Sequence, residues 1–393
     1  MLVNRLWIVI VVIALGGGRA WARDVYVATD GAPDHPGTIR QPLASIQRAV
    51  DEAKAGDVIH LRGGIYRLER PLIIWNKHGT AEQPITLQSH PGERAILDWA
   101  ALTRKGWDGD QGGISIGRSE YWIIRDLELR HSPRAGLKVM NVGARHNRFE
   151  DIETHHNYLS GIACTGRDNT FVRIRAHHNA DLAHGGGNAD GIHLARFPSG
   201  EGGGGNTFID CVAYLNSDDG FDAWDSEAGN VFRNCRAWRN GYIEKPDGEL
   251  EAMGDGNGFK LGGTAKGDAK TGGHQVVRSM AYLNRTRGFD SNNADLPLTL
   301  YHNTAWNNGG VSYRMDRAAH ILKNNIAVGT GMRIDNLAVQ SHNGWNLGID
   351  APGFVSVDPQ STKFLHLKVD APAVDPGVDL GLPHPRAAPD QRA

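Results

Sequence analysis

The stretch NSDDGFDAWDS, residues 216–226, holds four aspartates within eight residues. Carboxylates packed so closely repel one another, so such a cluster is either fully solvated or gathered around a cation that removes the repulsion. Two other phrases, NADGIHL (188–194) and DGNGFKLGG (255–263), place polar residues at the same offsets from a glycine. The position before that glycine holds Asp190, Asp219, Asn257 and Arg287, and the second position after it holds His193, Asp222, Lys260 and Asp290. Phe221 and Phe259 lie between these positions, and in a strand they point to the opposite face, so the polar residues share one side. Asp190, Asp218, Asp219 and Asp222 then converge as an oxygen-rich site for a hard cation, and Ca²⁺ tolerates irregular geometry better than Mg²⁺. A lone acid beside glycine is commonly a turn cap; the convergence of several points to an ion. Lys260 follows Asp222 in the same column, where a neighbouring cation would disfavour its ammonium form and bring it toward the range of a usable base.

Columns of this kind need stacked elements. NRFEDIETHHN (147–157), NTFVRIRAHHN (169–179), NTFIDCVAYLN (206–216) and NVFRNCRAWRN (230–240) each open on Asn, place Phe two residues later and close on Asn. HQVVRSMAYLN (274–284) and LTLYHNTAWNN (298–308) follow with looser chemistry, and a glycine-headed apolar phrase comes after each closing Asn from residue 157 to residue 284. Both phrases alternate apolar and polar residues, the period of a half-buried strand. Undecorated units of 22 to 24 residues fit a solenoid, whereas a propeller blade needs about 40 to 45 residues. The fold expected is all-β, a right-handed parallel β-helix, with asparagines 157, 179, 216, 240, 284 and 308 stacked as an internal ladder. Ile152, Ile174, Cys211 and Cys235 share one inward position, which puts Cys211 above Cys235 as two buried thiols, at a spacing that would also admit a disulfide. From closing Asn to the next glycine is usually four residues, but twelve between Asn179 and Gly191 and eighteen between Asn240 and Gly258. Insertions leaving one turn of a solenoid commonly build its binding face.

The remaining segments frame this core. An apolar run from Leu6 to Leu15 followed by RAWA reads as a signal peptide, residues 1–22, cleaved after Ala22; the run is too short for a membrane span. Residues 23–110 form an N-terminal cap and first coils, in which Ile46, Ala49, Val50 and Ala53 at helical spacing predict a helix covering the open edge. Residues 111–350 form the β-helix core and 351–393 a Pro-rich closing tail. Loss of residues 1–22 removes Arg5 and Arg19 and leaves 40 basic against 44 acidic side chains, which argues against a nucleic-acid binder. Three cysteines and no Cys/His zinc spacing leave oxygen ligands as the expected metal chemistry.

The phrases NADGIHL, NSDDGFDAWDS and DGNGFKLGG, preceded by GDVIHLRGGIYRL (56–68) and KHGTAEQPITLQSHPGERAILD (77–98), resemble the family 9 polysaccharide lyases, which include pectate lyases. The similarity runs from about Val25 to Gly329. It implies calcium bound by Asp190, Asp218, Asp219 and Asp222, Lys260 as catalytic base, and β-elimination on an acidic polysaccharide such as polygalacturonate. His193, Arg285, Arg287, Arg314 and Arg317 are candidates for binding substrate carboxylates, His193 alternatively for supporting the metal ligands; Trp224 and Tyr313 suit either stacking on sugar rings or core packing and generic exposure. A secreted monomer is expected. The competing readings are a lyase for alginate or another uronate, a glycoside hydrolase, which would need two catalytic carboxylates instead of a lysine, and a calcium-stabilised binding solenoid with no use for Lys260.

Overall fold

The computed structural model describes residues 22–102, 111–196, 200, 202–264, 270–374 and 377–382. Nearly all of the expected signal peptide lies outside the described residues. The chain coils as a parallel β-helix, with a 20-stranded and a 10-stranded sheet. Among the described residues no helix is long and apolar enough to cross a membrane.

Each coil contributes three short strands, one more than the sequence phrases suggested. The eleven-residue phrase breaks in its middle: Thr170–Val172 and Arg175–His177 are separate strands. The break is a left-handed backbone at Arg173 (φ 52°), repeated at Asp210, Asn234, Arg278, His302 and Asn324. A second left-handed residue precedes each closing Asn, as at His178, Leu215 and Arg239. Non-glycine residues adopt this conformation at a cost, which the stacked hydrogen bonds of successive coils offset.

The asparagine ladder runs unbroken from Asn157 through 179, 216, 240 and 284 to 308, each side-chain amide donating to the next at 2.8–2.9 Å. The opening asparagines form a second ladder, 147 to 169 to 206 to 230. In the Cys211 and Cys235 column, Cys235 is followed by Ser279, Asn303, Asn325 and Asn343. Both cysteines are buried free thiols.

Between the ladders the core is a pile of rings. Phe149, Phe171, Phe208 and Phe232 stack with centroids 4.7–5.1 Å apart, and Phe221, Phe259, Phe289 and Tyr313 stack at 4.7–5.0 Å. Each buried ring contributes about 1.5–3 kcal/mol. Of the two readings of Tyr313, core and sugar platform, the structure takes the core: it continues the phenylalanine column and its hydroxyl donates to the Asn303 carbonyl at 3.0 Å.

At the N-terminal end the helix Ile46–Glu52, capped by the Ser45 hydroxyl, buries Ile46, Ala49 and Val50 over the first coil. At the other end the tail folds back, and Phe364 and Leu365 pack with Tyr282, beside Trp238 and Trp306.

Candidate active site

The ten-stranded sheet is the platform of the site. Its parallel register places Lys138, Ala163, His193, Asp222, Lys260, Asp290 and Arg314 one above another, the column read from the glycine offsets. Gly220 is required at its turn because a Cβ there would lie 2.7 Å from the Gly258 carbonyl and 2.8 Å from the Asn240 amide.

The insertions complete the walls. The shorter carries a 3-10 turn, Leu182–His184. The longer forms a hairpin, Tyr242–Glu244 paired with Leu250–Ala252, and returns through Gly254, whose N–H donates to Gly185 of the other loop. A Cβ on Gly254 would meet the Ser217 carbonyl at 2.4 Å, so only glycine allows this approach. Arg285 braces the return by donating to the Gly254 carbonyl at 2.6 Å.

Asp190, Asp218, Asp219 and Asp222 are all buried, and oxygens of Asp190, Asp218 and Asp219 lie within 4.8 Å of one another. One oxygen of each acid is fixed by a donor. Asp218 Oδ1 accepts from Asp255 N at 2.6 Å, Asp219 Oδ1 from Asn257 N and Nδ2 at 2.6 and 2.8 Å, Asp222 Oδ1 from Trp224 N at 2.7 Å and Asp190 Oδ1 from Asp219 N at 3.1 Å. Lys260 Nζ lies 3.1, 3.5 and 3.4 Å from Asp219, Asp222 and Asp255. The Asp219 oxygen facing Lys260 is Oδ2, which is buried.

The electrostatics show an acidic site short of positive charge. Burial, then the charges of Asp219 and Asp190, raise Asp218 to about 9. Burial raises Asp219 to about 7, against the pull of Lys260. Burial alone would lower Lys260, but the surrounding carboxylates, Asp222 first, hold it well above its ordinary value. Burial likewise opposes the charged form of His193, which its contacts with Asp190 and Asp222 raise to about 10. Buried carboxylates that converge within 4.8 Å and resist ionisation for want of positive charge fit a hard divalent cation.

The other expected residues divide. His193 joins the cluster, Nδ1 3.2 Å from Asp190 and 3.5 Å from Asp222. Arg287 and Arg314 lie further along, on Asp290 at 3.1 and 3.6 Å. Arg317 is exposed, and among the described residues no hydrogen bond or ion pair ties it to the cluster. Trp224 lines the cleft, of about 400 Å³, that contains Asp190, Asp222 and Lys260. Asp225, outside the expected convergence, instead accepts from Arg196 at 3.0 Å and Thr264 at 2.7 Å.

Two cleft residues and one contact of Lys260 were missed. Lys138 and Arg134 line the wall on earlier coils; the same rule applied to Gly136 would have found Lys138. Asp255 comes from an insertion, where repeat logic gives no position.

Comparison with known proteins bears on this arrangement. The model of the Pel9A-like right-handed β-helix region matches residues 25–325. Pectate lyase PEL9 of Emericella nidulans is 34% identical over 86% of this chain and 87% of its own length, and pectate lyase L of Dickeya chrysanthemi 32% identical over 88% and 80%. Among solved structures, pectate lyase Pel9A superposes with a TM-score of 0.79 at 28% identity, covering 93% of this chain and 94% of that one. A rhamnogalacturonan lyase gives 0.77 at 26%, covering 89% and 97%.

Proposed function

The chain belongs to the Pel9A-like right-handed β-helix family and is a polysaccharide lyase; on that premise we propose that it is a secreted, calcium-dependent pectate lyase with Lys260 as its base. The observation that carries this reading is the placing of Lys260 Nζ 3.1 Å from Asp219 and 3.5 Å from Asp222 inside a buried carboxylate cluster that opens to a cleft. Asp190, Asp218, Asp219 and Asp222 would hold calcium. When bound, that ion supplies positive charge against the uronate carboxylate and the enolate-like charge that develops beside it.

The residues of the chain do the rest. Lys260 Nζ, on the floor of the cleft, would take the proton from C5 of the galacturonate as the neutral amine, the form that alkaline pH and a cation offsetting the surrounding carboxylates would favour. The electron pair released forms the C4–C5 double bond, and the bond from C4 to the glycosidic oxygen breaks. That oxygen leaves as an alcohol after protonation from water. Asp222 and Asp219 position the amine, and His193, between Asp190 and Asp222, keeps those two carboxylates oriented. Arg287 and Arg314 offer guanidinium groups toward uronates on neighbouring subsites.

Export is proposed with the activity because the substrate is a polymer outside the cell, and the segment 1–22 has the build of a signal peptide. The mass of the exported chain, beginning at Arg23, tests this.

The activity is tested by following absorbance near 235 nm on polygalacturonate at alkaline pH, with calcium and with excess chelator, for wild type and Lys260→Ala. A calcium-dependent rise that Lys260→Ala lacks is expected. A rise on rhamnogalacturonan alone would move the substrate assignment, and no rise on any polyuronate would overturn the lyase mechanism.

A further inference from the structure

The 20-stranded sheet, distinct from the ten-stranded sheet of the catalytic column, ends two of its strands in His-His pairs on successive coils, His155-His156 and His177-His178. The second residue of each pair has a left-handed backbone, φ 52° in both, which turns its ring toward its neighbour. The rings stack between coils, His155 on His177 at 4.9 Å and His156 on His178 at 5.2 Å. Within each pair the Nδ1 atoms face each other, 2.6 Å apart in the first and 2.7 Å in the second.

The two pairs differ in what holds their outer nitrogens. His177 Nε2 meets Glu153 at 3.0 Å, and His178 Nε2 meets Glu244 at 3.3 Å. A carboxylate only accepts, so the tautomers that satisfy both glutamates carry their proton on Nε2 and leave both Nδ1 atoms presenting a lone pair. Two lone pairs 2.7 Å apart repel unless a positive centre is shared between them. In the first pair only His155 is held in this way, by Glu128 at 3.2 Å. His156 can then carry its proton on Nδ1 and donate it to His155, an ordinary hydrogen bond.

We infer that His177 and His178 form a bidentate site for a divalent transition ion, of the Zn²⁺, Ni²⁺ or Cu²⁺ class, separate from the catalytic calcium site. Imidazole nitrogen suits these ions and not Ca²⁺. A carboxylate on the far nitrogen is the usual support of a metal-binding histidine, fixing its tautomer and raising its basicity. His178 is a quarter exposed, which gives an ion access and leaves room for water to fill the remaining positions. The alternative occupant, a shared proton, would place a single charge between the rings, one of which, His177, is only 10% exposed and stacked between His155 and Tyr214. Glu244 belongs to the hairpin whose return braces Asp218 and Asp219, so the site also ties that insertion to the coil.

The test uses tag-free, calcium-saturated protein titrated with Cu²⁺, read by electron paramagnetic resonance for nitrogen hyperfine coupling, and with Zn²⁺ by calorimetry. One ion per chain is expected. His178→Ala should abolish uptake, and His156→Ala should leave it within about twofold. Glu244→Gln keeps both ligands but frees the His178 tautomer, and should weaken binding about tenfold or more. Lyase activity in calcium should be the same for wild type and His178→Ala, which also reports that the variant is folded. Absence of uptake by wild type, uptake that His178→Ala does not change, or uptake lost equally in His156→Ala would overturn the assignment. So would nitrogen resonances showing a shared proton between His177 and His178 without metal uptake.

Discussion

Replacing Asn240 by alanine tests how far the internal ladder holds the site. The Asn240 amide donates to Asn284 Oδ1 at 2.9 Å and to the Ala213 carbonyl at 3.0 Å. Its oxygen accepts from Asn216 N at 3.3 Å and from Asn216 Nδ2 at 2.9 Å. All four bonds are buried, and no water can replace them without a cavity wide enough to admit it. Asn284 Oδ1 keeps a donor in the Asn240 N–H, so three groups are left short. At about 1 kcal/mol for each lost bond, and more where a buried group is stranded, the loss is about 3–4 kcal/mol. For a chain of this length that corresponds to a Tm lower by roughly 5 °C. Asn240→Asp should be no better, because it keeps the acceptor but turns oxygen toward Asn284 Oδ1 and the Ala213 carbonyl. Since Asn216 leads directly into Asp218 and Asp219, calcium should also bind more weakly to both variants. Thermal and denaturant unfolding check the first point and calorimetry the second. A loss below about 1 kcal/mol, or an aspartate variant as stable as wild type, would refute the view that the ladder is an energetic spine.

Lys260→Ala should lower turnover by about 10²–10⁴-fold while the chain keeps its calcium-linked rise in Tm, which separates the base from the metal site; loss of both would point to a binding role instead. Without calcium, the raised Asp218 and Asp219 hold protons in the folded state that the unfolded chain releases above the ordinary aspartate range. Stability then falls as pH rises toward about 9. Melting of chelated protein between pH 7 and 9 should show that fall, and calcium should remove it; parallel curves with and without calcium would contradict the proposed carboxylate site. Cys211 and Cys235 should resist a thiol reagent in the folded state and react on unfolding, and fast labelling of native protein would contradict their burial.

Much of this molecule was legible because a solenoid repeats its geometry. A spacing rule drawn from Gly191, Gly220 and Gly258 placed His193, Asp222 and Lys260 in one column, and the observed register pairs them in that order. The ladder followed from the closing asparagines by the same logic. The left-handed residues did not, because Arg173, Leu215 and Arg239 have no side-chain signature of a turn; stacked neighbours impose the conformation. Asp255 lies in an insertion whose path depends on contacts with Gly185 and Arg285, and no repeat position specifies it. Tyr313 stayed open because a tyrosine at a strand position suits both a ring platform and a core; the phenylalanines before it in the same column decide for the core.

The division of labour between faces follows from the two-residue period of a strand. Phe221 and Phe259 point into the ring stack while Asp222 and Lys260, one residue on, point to the cleft. A shift of one residue in either strand would exchange these faces, burying an acid or an amine among phenylalanines and exposing the rings. The register is therefore specified by the core, and the site inherits its precision from hydrophobic stacking instead of from contacts among its own charges. Those charges are out of balance among themselves: Asp218 and Asp219 resist ionisation even with Lys260 Nζ 3.1 Å from Asp219. Such a cluster persists because the coils above and below hold the strands that carry it. That arrangement keeps the carboxylates preorganised for positive charge, at a local cost that the asparagine and phenylalanine stacks offset.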